Sequence, residues 1–309
     1  MTTLITAQTV LNRKSKIAKS LKGVNLKSKI ALYGSLIKSL QTGLLIATGL
    51  AGYMSASCPV THWATLAGLA ASLFLAISGS TILNMWYDRG IDSRMKRTQD
   101  RPLASGKVSP AEALRLGLVL SLLGVAWAVI MDPLYGLIVF AGLFFDVVVY
   151  TIWLKRRTAW SIVWGGISGG MPILAGRVLG TGGLDWIGAL LALSVLFWIP
   201  THIMTFSMKY HEDYAAARVP TFPSAYGFAA TRVTVAVSSL IAALMIGLAA
   251  YGIGMTWGYL RVLVVLSAGL LSLAIISLLK PSERLNFGLF KYASVYMLSS
   301  MMLMVAHGL

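Results

Sequence analysis

Acidic residues and cysteine are scarce in this sequence: its 309 residues include 10 Asp and Glu and one Cys, Cys58. A single cysteine excludes a disulfide framework, a thiol redox pair and any Cys-based zinc or iron–sulfur site. Charged residues of both signs make up only 12% of the chain, against 57% hydrophobic residues, and the mean hydropathy is +0.77. So few charges cannot cover a water-facing surface, and the composition is that of an integral membrane protein. With acids this rare, the 26 Lys and Arg leave a formal net charge of +16. Such an excess fits nucleic acid, anionic lipid or the cytoplasmic loops of a multispanning chain, and position decides among them.

Apolar stretches of membrane-crossing length, roughly 17 to 25 residues, lie at about 38–57, 63–84, 111–131, 133–154, 159–179, 185–208, 232–253, 257–279 and 288–308. This pattern predicts an all-α polytopic fold of nine transmembrane helices. The joins at 85–110 and 209–231 are long, polar and charge-rich, which in a tight bundle marks functional loops. All basic residues except Arg177 and Arg261 fall before the first span or in alternate connections. The positive-inside rule therefore predicts a cytoplasmic N-terminus and long loops with the C-terminus outside, as in the inner membrane of a prokaryote. The charge is then accounted for by topology, and no nucleic-acid partner is expected.

The chain divides into a basic cytoplasmic segment, 1–37, and one membrane-embedded domain, 38–309. The first 37 residues hold no acid and no apolar core of a secretory signal. Leu11, Ile17, Leu21 and Val24 recur at near-helical spacing among lysines, which suits an amphipathic helix on anionic lipid as well as a basic tail.

The rare acids can be placed one by one. Asn84, Asp88 and Asp92 stand at i, i+4 and i+8 and share one face of a helix leaving the second span. Carboxylate and amide oxygens in a line are the ligands Mg²⁺ prefers, and Mg²⁺ commonly shares its shell with substrate phosphates. Arg94, Lys96, Arg97 and Arg101 follow directly; guanidinium groups clamp phosphate oxygens in pairs. A solvated helix end carrying mutually paired charges gives the same spacing. At the end of the sixth span, His202, Phe206, Lys209 and Asp213 are spaced by four, three and four, with His211 beside them. That spacing also predicts one helical face, emerging on the same side as the first set, so the two can converge on one pocket. His202 equally fits a hydrogen-bonded histidine between helices, and Asp146, alone within the fourth span, could pair with Arg177 or bond a neighbouring helix.

Residues 84–110, NMWYDRGIDSRMKRTQDRPLASGKVSP, resemble the first signature of the intramembrane UbiA-type prenyltransferases. Met95-Lys96-Arg97-Thr98 before Arg101-Pro102-Leu103 resembles the branch that farnesylates protohaem IX. Trp198, Pro200 and His202, then Lys209, Asp213-Tyr214 and Val219-Pro220, are similar to that branch's second motif, and Tyr150-Thr151 with Leu154-Lys155-Arg156 also matches. The chain departs from the branch at Lys38-Ser39-Leu40, at Thr201-His202-Ile203-Met204, and at Ala159 and Ser161.

The resemblance implies a bundle around a central cavity under a cytoplasmic cap, and transfer of a farnesyl group from farnesyl diphosphate to a vinyl group of haem b with addition of water. It implies Mg²⁺ held by Asn84, Asp88, Asp92 and Asp213, with Asp88, Asp92 and Asp213 catalytic. Arg94, Arg97, Arg101, Lys155, Lys209, His202 and His211 would bind the substrates. Terminal oxidase assembly factors are candidate partners beside the lipid bilayer. The other readings are the same chemistry on a quinone precursor or lipid, and a secondary transporter. A transporter places coupling residues near the midplane and commonly shows inverted repeats, whereas these acids gather at span ends.

Overall fold

The computed structural model describes residues 31–56 and 62–309. Cys58 and the proposed amphipathic stretch at 11–24 lie outside them. The described chain is helical: α1 Ser39–Met54, α2 Trp63–Asp92, α3 Pro110–Met131, α4 Pro133–Phe144, α5 Ser161–Thr181, α6 Trp186–Lys209, α7 His211–Ala216, α8 Phe222–Ile253, α9 Trp257–Leu279 and α10 Glu283–Gly308. α4 runs without interruption into a π-helical segment, Phe145–Leu154.

Among the described residues, eight helices are long and apolar enough to cross a membrane, not the nine expected. The difference is α1, whose 16 residues rise about 24 Å, short of a hydrocarbon core of roughly 30 Å. Consecutive helices pack on one another, α10 returns to α1 and α6, and α5 packs on α1 and α6. α1 approaches α5 closely because both present glycine. A Cβ on Gly52 would overlap the Ile173 carbonyl, and one on Gly176 would overlap that of Gly49.

Start signals agree with the sequence. Pro110 and Pro133 occupy first-turn positions, Asp132, Asp185 and Ser282 cap helices by accepting from backbone N–H groups, and Thr221 caps α8 through Ser224. The polar join at 209–231 is largely helical. Tyr210, at φ −106° and ψ 30°, breaks α6 from α7, and Gly227, at φ 80°, interrupts α8 in a conformation that favours glycine.

Arg177 does not meet Asp146. It is buried at the end of the bundle remote from Asp88, donates to the Ser55 carbonyl and hydroxyl, and pairs with Asp185 at 2.6 Å. This arginine ties α1, α5 and the start of α6 together. Arg177→Ala is expected to cost about 3 kcal/mol, because it leaves a half-buried carboxylate without its cation and the Ser55 carbonyl without the guanidinium donor. A melting temperature in detergent equal to wild type would refute this account of the pair.

Candidate functional site

The site is built on α2. Ser80, Asn84, Asp88 and Asp92 recur every four residues, and each is buried. Each finds a polar partner. The Ser80 hydroxyl donates to Asp146 Oδ2 at 2.5 Å, the Asn84 amide donates to the Thr151 hydroxyl at 2.7 Å, Lys155 donates to Asp88 Oδ2, and Arg101 Nη1 donates to both Asp92 oxygens at 2.9 Å.

Three of the four partners come from the π-helical segment or its end. Asp146, Tyr150, Thr151 and Lys155 are spaced four, one and four apart, the repeat of a helix bonded i to i+5. The Lys155 amide bonds the Tyr150 carbonyl at 2.8 Å in that manner. Nine residues of α-helix make about two and a half turns and would set Asp146 and Lys155 on opposite sides. The wider winding turns both toward α2, and the Thr151 hydroxyl, bonded to the Asp146 carbonyl at 2.7 Å, braces it.

Between these elements lies a cavity of about 250 Å³, bordered by Asn84, Asp92, Arg97, Arg101, Asp146 and Lys155 from the groups above. Lys38 and Gln41 at the start of α1, Thr81, Ile91, Met95, Tyr150, Tyr214 and Val219 complete its wall. Lys38 sits at φ 48°, a left-handed backbone that an L-residue adopts only when its surroundings hold it. Burial, reinforced by Arg101 and Lys155, pushes its ammonium pKa down to about 8. Burial also works against the charge on Lys155, but Tyr150 and Asp88 outweigh it and hold that ammonium above its ordinary value.

Asp88 stands beside this cavity, 1% exposed. Its Oδ1 takes no hydrogen bond although it is buried, and the Arg156 guanidinium stands 3.6 Å away. A buried carboxylate oxygen without a hydrogen bond is costly unless a cation satisfies it. Among the described residues no three His, Cys, Asp or Glu cluster tightly enough to enclose a metal. A cation here would therefore complete its shell with oxygens from a substrate.

Of the basic residues expected at the site, Arg97 and Arg101 reach the cavity and Arg94 is exposed outside its lining. Arg97 lies over the rings of Phe206 and Tyr210, at 4.9 and 5.4 Å, so the aromatic end of α6 borders the site through it. Of the second set, His202, Phe206 and Lys209 keep to one face of α6, against Phe287 and Phe290 of α10 and outside the cavity lining, and only the residues past the break at Tyr210 leave that face. Asp213 falls on the separate helix α7 and outside the cavity wall, which takes Tyr214 instead. Lys209 turns to the Phe287 ring at 3.3 Å, and His211 lies beside Phe228, 5.5 Å between ring centres. His202 is packed between Trp198 and Phe290, with ring centres at 4.8 and 4.5 Å, and its Nδ1 faces the Ser294 hydroxyl at 3.2 Å. Both faces of this imidazole are covered in the α6–α10 interface, which leaves Nε2 alone for any ligand.

Sequence reasoning did not foresee Lys38, Tyr150 and Tyr214 as cavity residues. Lys38 stands where the first signature-like tripeptide departs from its family's pattern, which was the available signal. Nothing in the sequence marks the tyrosines beyond their place in motifs.

The fold and these motifs have relatives. Residues 45–295 match the model of the UbiA prenyltransferase family. The chain is 45% identical over 190 residues to a protoheme IX farnesyltransferase of Archaeoglobus fulgidus, an alignment covering 62% of this chain and 66% of that protein. A protoheme IX farnesyltransferase of Desulforudis audaxviator is 35% identical over 272 residues, 86% of this chain and 84% of the relative. In structure, the chain is similar to a UbiA homolog from Archaeoglobus fulgidus bound to GPP and Mg²⁺. The TM-score is 0.65 at 14% identity, over 88% of this chain and 99% of that one.

Proposed function

The chain belongs to the UbiA prenyltransferase family, and from that premise we propose that this membrane-embedded enzyme transfers a farnesyl group from farnesyl diphosphate to a vinyl group of haem b, with addition of water, giving haem o. The observation that carries the reading is the buried Asp88–Asp92 stripe, ion-paired to Lys155 and Arg101, beside a cavity that Asp92, Arg101, Lys155 and Lys38 line. Carboxylate oxygens and cations gathered at one cavity suit a metal-bound diphosphate. Similarity to proteins named protoheme IX farnesyltransferase supports haem b as the acceptor and farnesyl as the prenyl group.

Asp88 and Asp92, with the Asn84 oxygen, would hold Mg²⁺; the hydrogen-bond-free Asp88 oxygen fits that role. When bound, Mg²⁺ neutralises charge on the diphosphate and makes it a better leaving group. Arg101, Lys155 and Lys38 would bind the outer phosphate oxygens, so that negative charge developing as the C–O bond breaks is met by fixed donors. Tyr150 and the helix walls keep bulk water from the allylic cation, and the acceptor's π-electrons capture it. Asp213, Lys209 and Arg94 lie outside this wall, so the structure supports no diphosphate contact for them. A haem contact from His202 would have to come through Nε2.

We place the site end of the bundle, the basic 1–37 segment included, on the cytoplasmic side, because the cavity opens among the basic connections. The test is incubation of the purified protein with farnesyl diphosphate, haem b and Mg²⁺. Pyrophosphate and a haem heavier by one farnesyl group and one water are expected. Pyrophosphate with an unaltered haem would redirect the acceptor to a quinone precursor or lipid, and neither product would sink the transferase reading.

Lys38 gives this reading a pH signature. Its ammonium, with a pKa of about 8, is charged below that pH and neutral above it. Affinity for a non-hydrolysable farnesyl thiodiphosphate is therefore expected to weaken severalfold as pH rises from 7 to 9. The Lys38→Met variant should bind more weakly and lose that dependence. An equal pH dependence in both proteins would remove Lys38 from the diphosphate site.

A further inference from the structure

Asp146 is the one carboxylate on the cavity wall that the scheme above leaves unused. We propose that it is the general base of the reaction, taking the proton that the transfer releases; the proposal rests on the prenyl-transfer reading and adds a residue to it.

The position of Asp146 sets it apart from the other acids. It is anchored through Oδ2 to Ser80, at 2.5 Å, and its other oxygen takes no hydrogen bond from a described residue while the side chain borders the cavity. Ser80 precedes Asp88 by eight residues on α2, a rise of roughly 12 Å toward the membrane interior. Asp88 and Asp92 are engaged by Lys155 and Arg101 at the mouth, whereas Asp146 stands where the prenyl chain and the carbon undergoing attack would lie. A carboxylate at that depth is expensive to keep and is expected to serve a function. The π-helical winding that turns it inward is of the kind that recurs at functional sites. The charged and titratable groups sharing its cavity are Lys38, Asp92, Arg97, Arg101, Tyr150, Lys155 and Tyr214.

The chemistry requires a proton acceptor. The C1–O bond of the prenyl diphosphate breaks and the diphosphate leaves with the electron pair. The acceptor's π-pair forms the new C–C bond, which moves the positive charge to a neighbouring carbon. A water oxygen bonds to that carbon, and one water proton must leave. Asp146 accepts it, so that prenyl diphosphate, acceptor and water give hydroxylated prenyl acceptor, pyrophosphate and one proton. Neither oxidant nor reductant is needed.

The test uses the full chain in detergent with Mg²⁺, farnesyl diphosphate and haem b. D146N retains an oxygen that can accept from Ser80, so its melting temperature and its KM for farnesyl diphosphate are expected to match wild type within about twofold, while kcat falls roughly a hundredfold. D146A is expected to regain at least about tenfold of its lost turnover when formate is added, a response that a purely structural carboxylate does not give. D146E, which keeps the carboxylate, should lose much less than D146N. Turnover of D146N equal to wild type, absence of formate rescue, or failure of both D146N and D146E to fold would overturn the proposal. The proton would then pass elsewhere, the departing diphosphate being the nearest base. A wild-type protein that forms no prenylated product overturns the underlying prenyl-transfer reading instead, which the wild-type control reads separately.

Discussion

Asp88→Asn is expected to lower turnover roughly a thousandfold at saturating Mg²⁺, the scale of losing a charged group aimed at the developing charge of a transition state. The fold should survive. The asparagine oxygen can still accept from Lys155, and the side chain lies against the Lys155 and Arg156 cations rather than packed hydrocarbon. The loss instead reflects the missing negative charge on a buried oxygen that has no hydrogen bond in the folded protein. Asp92→Asn should behave alike, with Arg101 left to bind the amide oxygen. Pyrophosphate release measured against Mg²⁺ concentration is the check, and an Asp88→Asn protein with near wild-type turnover would show that this carboxylate does not hold the metal.

Arg101→Lys carries the second large effect, a weakening of prenyl thiodiphosphate binding by roughly thirtyfold. Arg101 spends one nitrogen, Nη1, on both oxygens of Asp92. Its other guanidinium nitrogens remain at the cavity wall for a phosphate. A lysine ammonium can replace the first contact or the second but not present both in a fixed plane. The exposed Lys96, outside the cavity lining, should tolerate Lys96→Ala with affinity within about twofold. Titration of the analogue in the presence of Mg²⁺ decides the matter, and unchanged affinity in Arg101→Lys would remove the arginine clamp from the mechanism.

The first prediction rests on residues legible from spacing alone. Asn84, Asp88 and Asp92 share a face in any regular helix, and α2 is regular as far as Asp92. Arg101 was visible as a basic residue in the adjoining loop, though not as the partner of Asp92. In the second set the same logic holds for His202, Phe206 and Lys209 but not for Asp213, since spacing of four and three predicts a shared face only while the helix continues, and it stops at Lys209. His202 shows a different limit. Its place near the end of a span was readable, but the neighbours on each side come from α6 itself and from α10, about ninety residues later in the chain.

The sequence by itself determined the helical membrane class, the end of the bundle that bears the site and the carboxylate stripe, because apolar run length, charge alternation and i, i+4 spacing are local properties that a bilayer and a regular helix turn directly into structure. Only the tertiary structure decided that α1 is shorter than a span, that Lys38 enters the cavity, that Asp213 leaves it, and that Asp146 and Lys155 face α2 together. The last depends on a change of winding where α4 passes into the π-helical segment Phe145–Leu154, and helix winding and breaks are settled by what packs against the segment, here the polar face of α2 drawing Asp146, Thr151 and Lys155 into line with Ser80, Asn84 and Asp88.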